Sequence, residues 1–141
     1  MTRSKIREKT FQLLFRIEFH QEEELPGQLL YLSEERLADD GEDLDTQIAS
    51  EADIAYIEKK AAAIAAHVTE IDGKINAVAT GWKTNRMGKV ELAIIRLAVY
   101  EMEYDDDIPT GVAINEAVEL AKKYGTKDSP SFVNGILAKI V

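Results

Sequence analysis

The chain has 141 residues, an apolar fraction of 45%, no cysteine and a formal net charge of −9 with a pI near 4.7. That length suits one domain, or two small halves sharing a core. The missing cysteine excludes disulfides, thiolate nucleophiles and cysteine-ligated zinc. No apolar run approaches the roughly 18 residues of a membrane-spanning helix, and the acidity disfavours general affinity for nucleic acid, so any RNA contact has to use a local cationic patch.

The chain opens with such a patch in miniature. Arg3, Lys5, Arg7 and Lys9 crowd into the first nine residues against Glu8 alone. They begin a helix expected over 4–20, with Ile6, Leu13, Leu14 and Ile17 on one side and Phe11, Phe15 and Phe19 on the other. This start is charged and then amphipathic, with no small-residue cleavage site, so it reads as part of the folded chain and not as a signal peptide. The expected location is cytoplasmic. A second helix fits 26–38, and the acidic stretch ADDGEDLDT at 38–46 reads as a solvated connector.

From 51 to 68, Ile54, Ile57, Ala61, Ile64 and Val68 recur at 3-4-3-4 spacing behind Ser50 as N-cap. A short helix follows, capped by Thr69 or Asp72, with Ile71, Ile75 and Val78 inward and Gly81 ending it. WKTNRMGK at 82–89 is a basic loop. VELAIIRLAVYEMEY at 90–104 is apolar nearly all round, which predicts a helix at the centre of a bundle. The next helix starts between Thr110 and Glu116, faces Ile114, Ala117, Val118 and Ala121 inward, and stops at Gly125. In the last, Asp128 or Ser129 caps the start, Pro130 takes the first turn, and Val133, Ile136, Leu137 and Ile140 are buried. Asn134 and Gly135 read as close helix packing. The sum is an all-α fold of about seven helices, with an N-terminal subdomain over about 1–80 and a C-terminal one over 81–141.

A reaction centre is not legible. His20 and His67 are the only histidines, and His67 reads as a flank residue. HExxH, GxxxxGK[ST] and GxGxxG are all absent. Asp105–Asp107 and Glu22–Glu24 are runs of carboxylates that point in different directions, as solvated turns do. The expectation is a binding module with no catalytic residue, no metal and no cofactor.

The residues that narrow this lie in the last third. RLAVYE, then IP followed by VAINEAVELAKKYG, then FVNGIL occur in order within 91–140. With the basic first helix, including Arg7-Glu8 and Gln12, this stretch resembles the NusB family of bacterial transcription antitermination factors. The region 22–80 matches in helical character alone. The resemblance implies two small helical bundles stacked on one another and no enzymatic activity. It implies binding to the boxA element of nascent ribosomal RNA transcripts together with NusE, a small-subunit ribosomal protein, and an indirect link to the RNA polymerase elongation complex.

By the same resemblance, Arg3, Lys5, Arg7 and Lys9 face RNA, and so does the corner holding Lys127, Asp128, Ser129 and Phe132, the two forming one surface. Asp128 caps the helix, reads a base or moderates affinity, and the start of the last helix offers free backbone N–H groups. Phe15 and Glu91 face NusE, Phe11 is core, and Phe19 stays open between core and interface. Two other readings remain. One is a NusB-like module of the ribosomal RNA methyltransferase type. The other is a helical scaffold that self-associates through its phenylalanine face, and a homodimer is left open.

Overall fold

The computed structural model describes residues 1–19 and 50–141, without the side chains of Glu18 and Phe19. The expected helix at 26–38, the connector at 38–46, His20 and Glu22–Glu24 lie outside the described residues. Within them the chain is helical throughout: α1 (Arg3–Phe19), α2 (Glu51–Ala66), α3 (Val68–Val78), a 3-10 turn (Thr84–Arg86), α4 (Lys89–Tyr104), α5 (Thr110–Tyr124) and α6 (Ser129–Ile140). No strand occurs among the described residues, and no described helix is long and apolar enough to cross a membrane.

The contacts gather into two compact units, Met1–Ala65 and Ala66–Val141. The division falls earlier than the expected boundary near 80, because α3 packs on α4 and α6 and so belongs to the second unit.

In the first unit, α1 buries Phe11, Leu13 and Leu14, as the apolar spacing predicts for Phe11 and the leucines. It also buries Thr10, whose hydroxyl donates to the Ile6 carbonyl at 2.8 Å, and Arg7, which is 6% exposed. The start of α2 is a reciprocal cap. The Asp53 N–H donates to the Ser50 hydroxyl at 3.0 Å, and the Ser50 N–H donates to Asp53 Oδ2 at 3.3 Å. Burial pushes the Asp53 carboxyl up, but hydrogen bonds from Ser50 and the N-terminal ammonium 3.5 Å away outweigh it and hold its pKa below the ordinary value. Ile54, Ile57, Ala61 and Ile64 form the expected buried stripe. Val68 instead opens α3, after the helix is interrupted by a turn at His67.

The second unit is built on α4. Leu92, Ala93, Ile94, Ile95, Leu97, Ala98 and Val99 are all buried, so the helix is covered on nearly every side. It packs against α3, α5 and α6. The inward face of α5 is rotated from the expected one. Ala113, Ala117, Leu120 and Ala121 are buried, whereas Ile114 and Val118 are half-exposed. Alanines at 113, 117 and 121 form an i, i+4 row without bulk, which lets α5 approach its neighbours closely.

Polar ties join α3 to α4. Arg96 donates from Nε and Nη2 to the two oxygens of Asp72 at 2.8 and 2.7 Å, a bidentate pair. Asp72 is therefore not the cap of α3, and neither is Thr69. The residue before α3 is His67, with no side-chain cap. Its ring lies 4.6 Å from that of Tyr104, which in turn stacks on Tyr100 at 5.3 Å. The Tyr104 phenol donates to Glu70 at 2.7 Å, and that bond raises its pKa above the ordinary value.

Candidate nucleic-acid interface

The eight residues expected to face RNA fall four in each unit, and they differ in access. Arg3, Lys127 and Asp128 are exposed, and Lys5, Lys9 and Phe132 are half-buried, but Arg7 and Ser129 are buried. Lys5 pairs with Glu8 at 3.3 Å. The N-terminal ribbon is thus narrower than its sequence suggests. A cation at every second position of a helix cannot stay on one face, and residue 7 turns inward with Thr10, Phe11 and Leu14.

The corner at 126–132 is organised around Ser129 (2% exposed). Its hydroxyl accepts from the Thr126 N–H at 2.9 Å and donates to Glu91 Oε1 at 2.6 Å. Three readings change with this geometry. Ser129 is a tie between α4 and α6, withdrawn from solvent. Glu91 has its carboxylate committed to that tie and not held out toward a partner. Asp128 precedes α6 without a side-chain cap bond.

The first turn of α6 also offers a phosphate little. The Ser129 N–H donates to Thr126 O, the Phe132 N–H donates to Asp128 O, and Pro130 has none. What the corner does present is the exposed pair Lys127 and Asp128 and the half-buried Phe132. Asn134 and Gly135 are exposed, and a methyl group on Gly135 would meet nothing within 4 Å, so close packing is not their role.

The loop at 82–89 lies against this corner at both of its ends. At one end the Trp82 ring meets Phe132 edge-to-face, centroids 6.3 Å apart. At the other, Gly88 leaves the space into which the Glu91 carboxylate reaches on its way to Ser129. The loop carries Lys83, Arg86 and Lys89 and no acid, and all three cations are exposed.

Its backbone is fixed. Asn76 on α3 accepts from the Thr84 N–H at 2.8 Å and donates to the Thr84 hydroxyl at 3.3 Å, and Lys83 Nζ donates to the Asn76 carbonyl at 2.6 Å. Gly81 enters the turn at φ +78°, a left-handed conformation that favours glycine. Lys83, Arg86, Lys89 and Trp82 lie outside the set of RNA-facing residues that the resemblance implies. The signal was present in the sequence as a tryptophan outside any apolar periodicity, flanked by cations.

Phe15, expected at the partner surface, is half-buried, its ring 6.1 Å from that of the buried Phe11. Asp105–Asp107 form the turn after α4, where the Asp107 N–H donates to Asp105 Oδ1 at 3.1 Å.

Comparison with known proteins agrees across the whole chain. The model of the NusB family matches residues 4–141. The chain is 55% identical over 139 residues to the transcription antitermination protein NusB of Agathobacter rectalis, covering 99% of this chain and 98% of that protein. It is 45% identical over 141 residues to the NusB of Lachnoclostridium phytofermentans, covering 100% and 99%. Among solved structures it resembles T. maritima NusB with a TM-score of 0.80 at 32% identity, covering 99% of this chain and 90% of that one. It also resembles a structure of antitermination factors NusB and NusE in complex with double-stranded RNA, with a TM-score of 0.79 at 26% identity over 98% and 94%. A family model spanning nearly every residue, together with relatives matched end to end, leaves one conclusion: the chain belongs to the NusB family of transcription antitermination proteins.

Proposed function

We propose that this protein binds the boxA element of nascent ribosomal RNA transcripts together with NusE, and so promotes read-through by RNA polymerase from a cytoplasmic complex. The observation that carries the RNA half is local charge on an acidic molecule. The second unit sets a loop of three exposed cations and no acid beside Lys127 and Phe132, which is the combination of phosphate neutralisation and aromatic surface that unpaired RNA requires. Arg3 adds an exposed cation in the first unit, with the half-buried Lys5 and Lys9 behind it. No step of this function calls for a reaction at the protein.

The net charge of −9 opposes RNA at long range. A basic partner offsets that field and adds contacts of its own. Labelled boxA RNA, titrated with the protein and followed by fluorescence anisotropy, is expected to bind about tenfold more tightly when NusE is present, a difference of about 1.4 kcal/mol. Equal affinity with and without NusE counts against the joint complex.

Phe15 supports the protein half of the reading, as an aromatic side chain left partly open beside a buried one. Phe15→Asp is expected to weaken NusE capture in a pull-down by at least about tenfold, with direct RNA affinity little changed. Arg7→Glu is not the matching RNA variant, because it would put a carboxylate at a buried position. Arg3→Glu serves instead.

A further inference from the structure

We infer that Trp82 is a base-stacking residue of the RNA surface, one that grips an unpaired nucleobase against the loop at 82–89. The inference rests on the RNA-binding reading above and adds the chemical group that the loop recognises.

Exposed aromatic side chains among the described residues are Tyr56, Trp82 and Tyr104. Two of them are occupied. Lys60 Nζ lies 5.6 Å from the centroid of Tyr56, and Tyr104 packs on His67 and Tyr100 while its phenol bonds Glu70. Trp82 is 59% exposed and meets Phe132 in a T-shaped pair. At that exposure more than half of the residue's surface stays open to solvent beside the Phe132 contact. The fold covers only part of this apolar surface, through the Phe132 contact, and leaves the rest available to a ligand.

The surroundings say what covers it. The Asn76 clamp and the Gly81 turn hold the loop in one conformation, so the indole is presented with little ordering left to lose on binding. The loop that carries it holds Lys83, Arg86 and Lys89, all exposed, and no acid within 82–89. A basic protein would be repelled there. A polyanion whose bases have apolar faces fits both features, and an unpaired strand offers those faces where a duplex keeps them stacked.

Trp82 is the chain's single tryptophan, so its fluorescence reports this position alone. The full chain is titrated with an unlabelled single-stranded boxA oligonucleotide while tryptophan emission is followed. Anisotropy of the same oligonucleotide, labelled, measures binding independently. The expected result is quenching that saturates with the anisotropy curve, and no quenching from a blunt duplex of the same sequence. Trp82→Ala is expected to weaken binding about tenfold and Trp82→Phe to recover most of the loss, with unchanged melting curves.

If anisotropy rises while emission stays constant and Trp82→Ala binds normally, stacking is wrong and RNA binding stands. If NusE alone produces the quench, the residue belongs to the protein interface and the inference is overturned. If anisotropy never rises, with NusE or without, both readings fall. Should Trp82→Ala fail to fold, the quench in the unaltered chain still decides.

Discussion

Gly125→Ala is expected to destabilise the second unit by about 2–3 kcal/mol, while Gly135→Ala, ten residues on, stabilises it by up to about 1 kcal/mol. Both are glycine-to-alanine changes, and ordinary conformational reasoning gives them the same sign. Gly125 follows α5 at φ −94°, ψ −165°, an extended conformation open to alanine. Stiffening the unfolded chain would then favour the variant by some tenths of a kcal/mol. Space decides otherwise. A Cβ at 125 would stand 2.5 Å from the Ser129 Cβ and Oγ and 2.8 Å from the Ala121 carbonyl oxygen.

None of these atoms yields easily. The Ala121 oxygen already accepts the Gly125 N–H, and the Ser129 hydroxyl is fixed by Thr126 on one side and Glu91 on the other. Relieving the clash means breaking the tie between α4 and α6. Gly135 has neither neighbour nor strain, so alanine there gains helix propensity alone. Urea midpoints of the two variants against the parent test the pair, and a Gly125→Ala protein as stable as the parent would show that the corner is soft.

The same corner shows which parts of the molecule were legible in the sequence. Helices α4, α5 and α6 were, because unbroken apolar periodicity and the IP and TKDSP breaks between them mark both type and extent. Roles that depend on a distant partner were not. An acid near a helix start reads as a cap, yet Asp72 is taken by Arg96, which lies 24 positions along the chain. A serine before a proline reads as a cap, yet Ser129 answers to Glu91, 38 positions back. Arg7 reads as surface charge until the face of α1 that turns inward is known.

The rotation of α5 has a related cause. A hydropathy pattern favours Ile114 and Val118, whereas close helix contact selects the alanines at 113, 117 and 121. Trp82 is different again, since nothing distant was needed to single it out. Its apolar bulk in a polar loop was a sufficient cue, and helical periodicity simply has no place for a residue outside a helix.

Arg86→Glu combined with Lys127→Glu is expected to reduce RNA affinity by roughly a hundredfold at physiological salt and to flatten the salt dependence by about 1.4 in the slope of log K against log salt. Each cation that neutralises a phosphate of a single strand contributes about 0.7 to that slope, so losing two contacts sets the change, and reversing their sign adds repulsion. Both residues are exposed, and neither side chain takes part in the ties described for the loop or the start of α6, so melting curves should match the parent.

The control is Lys139→Glu, in the last turn of α6 at the end away from Lys127. It changes net charge by the same amount as Lys127→Glu, but about 16 Å further along the helix axis. If RNA senses only the protein's overall charge, Lys139→Glu and Lys127→Glu weaken binding equally. If the loop at 82–89 and the corner at 126–132 are the landing site, Lys127→Glu is the more damaging and it alone lowers the slope. Anisotropy titrations of the variants across a salt series distinguish the two. Equal slopes for Lys127→Glu and Lys139→Glu would remove the second unit's cationic corner from the binding surface.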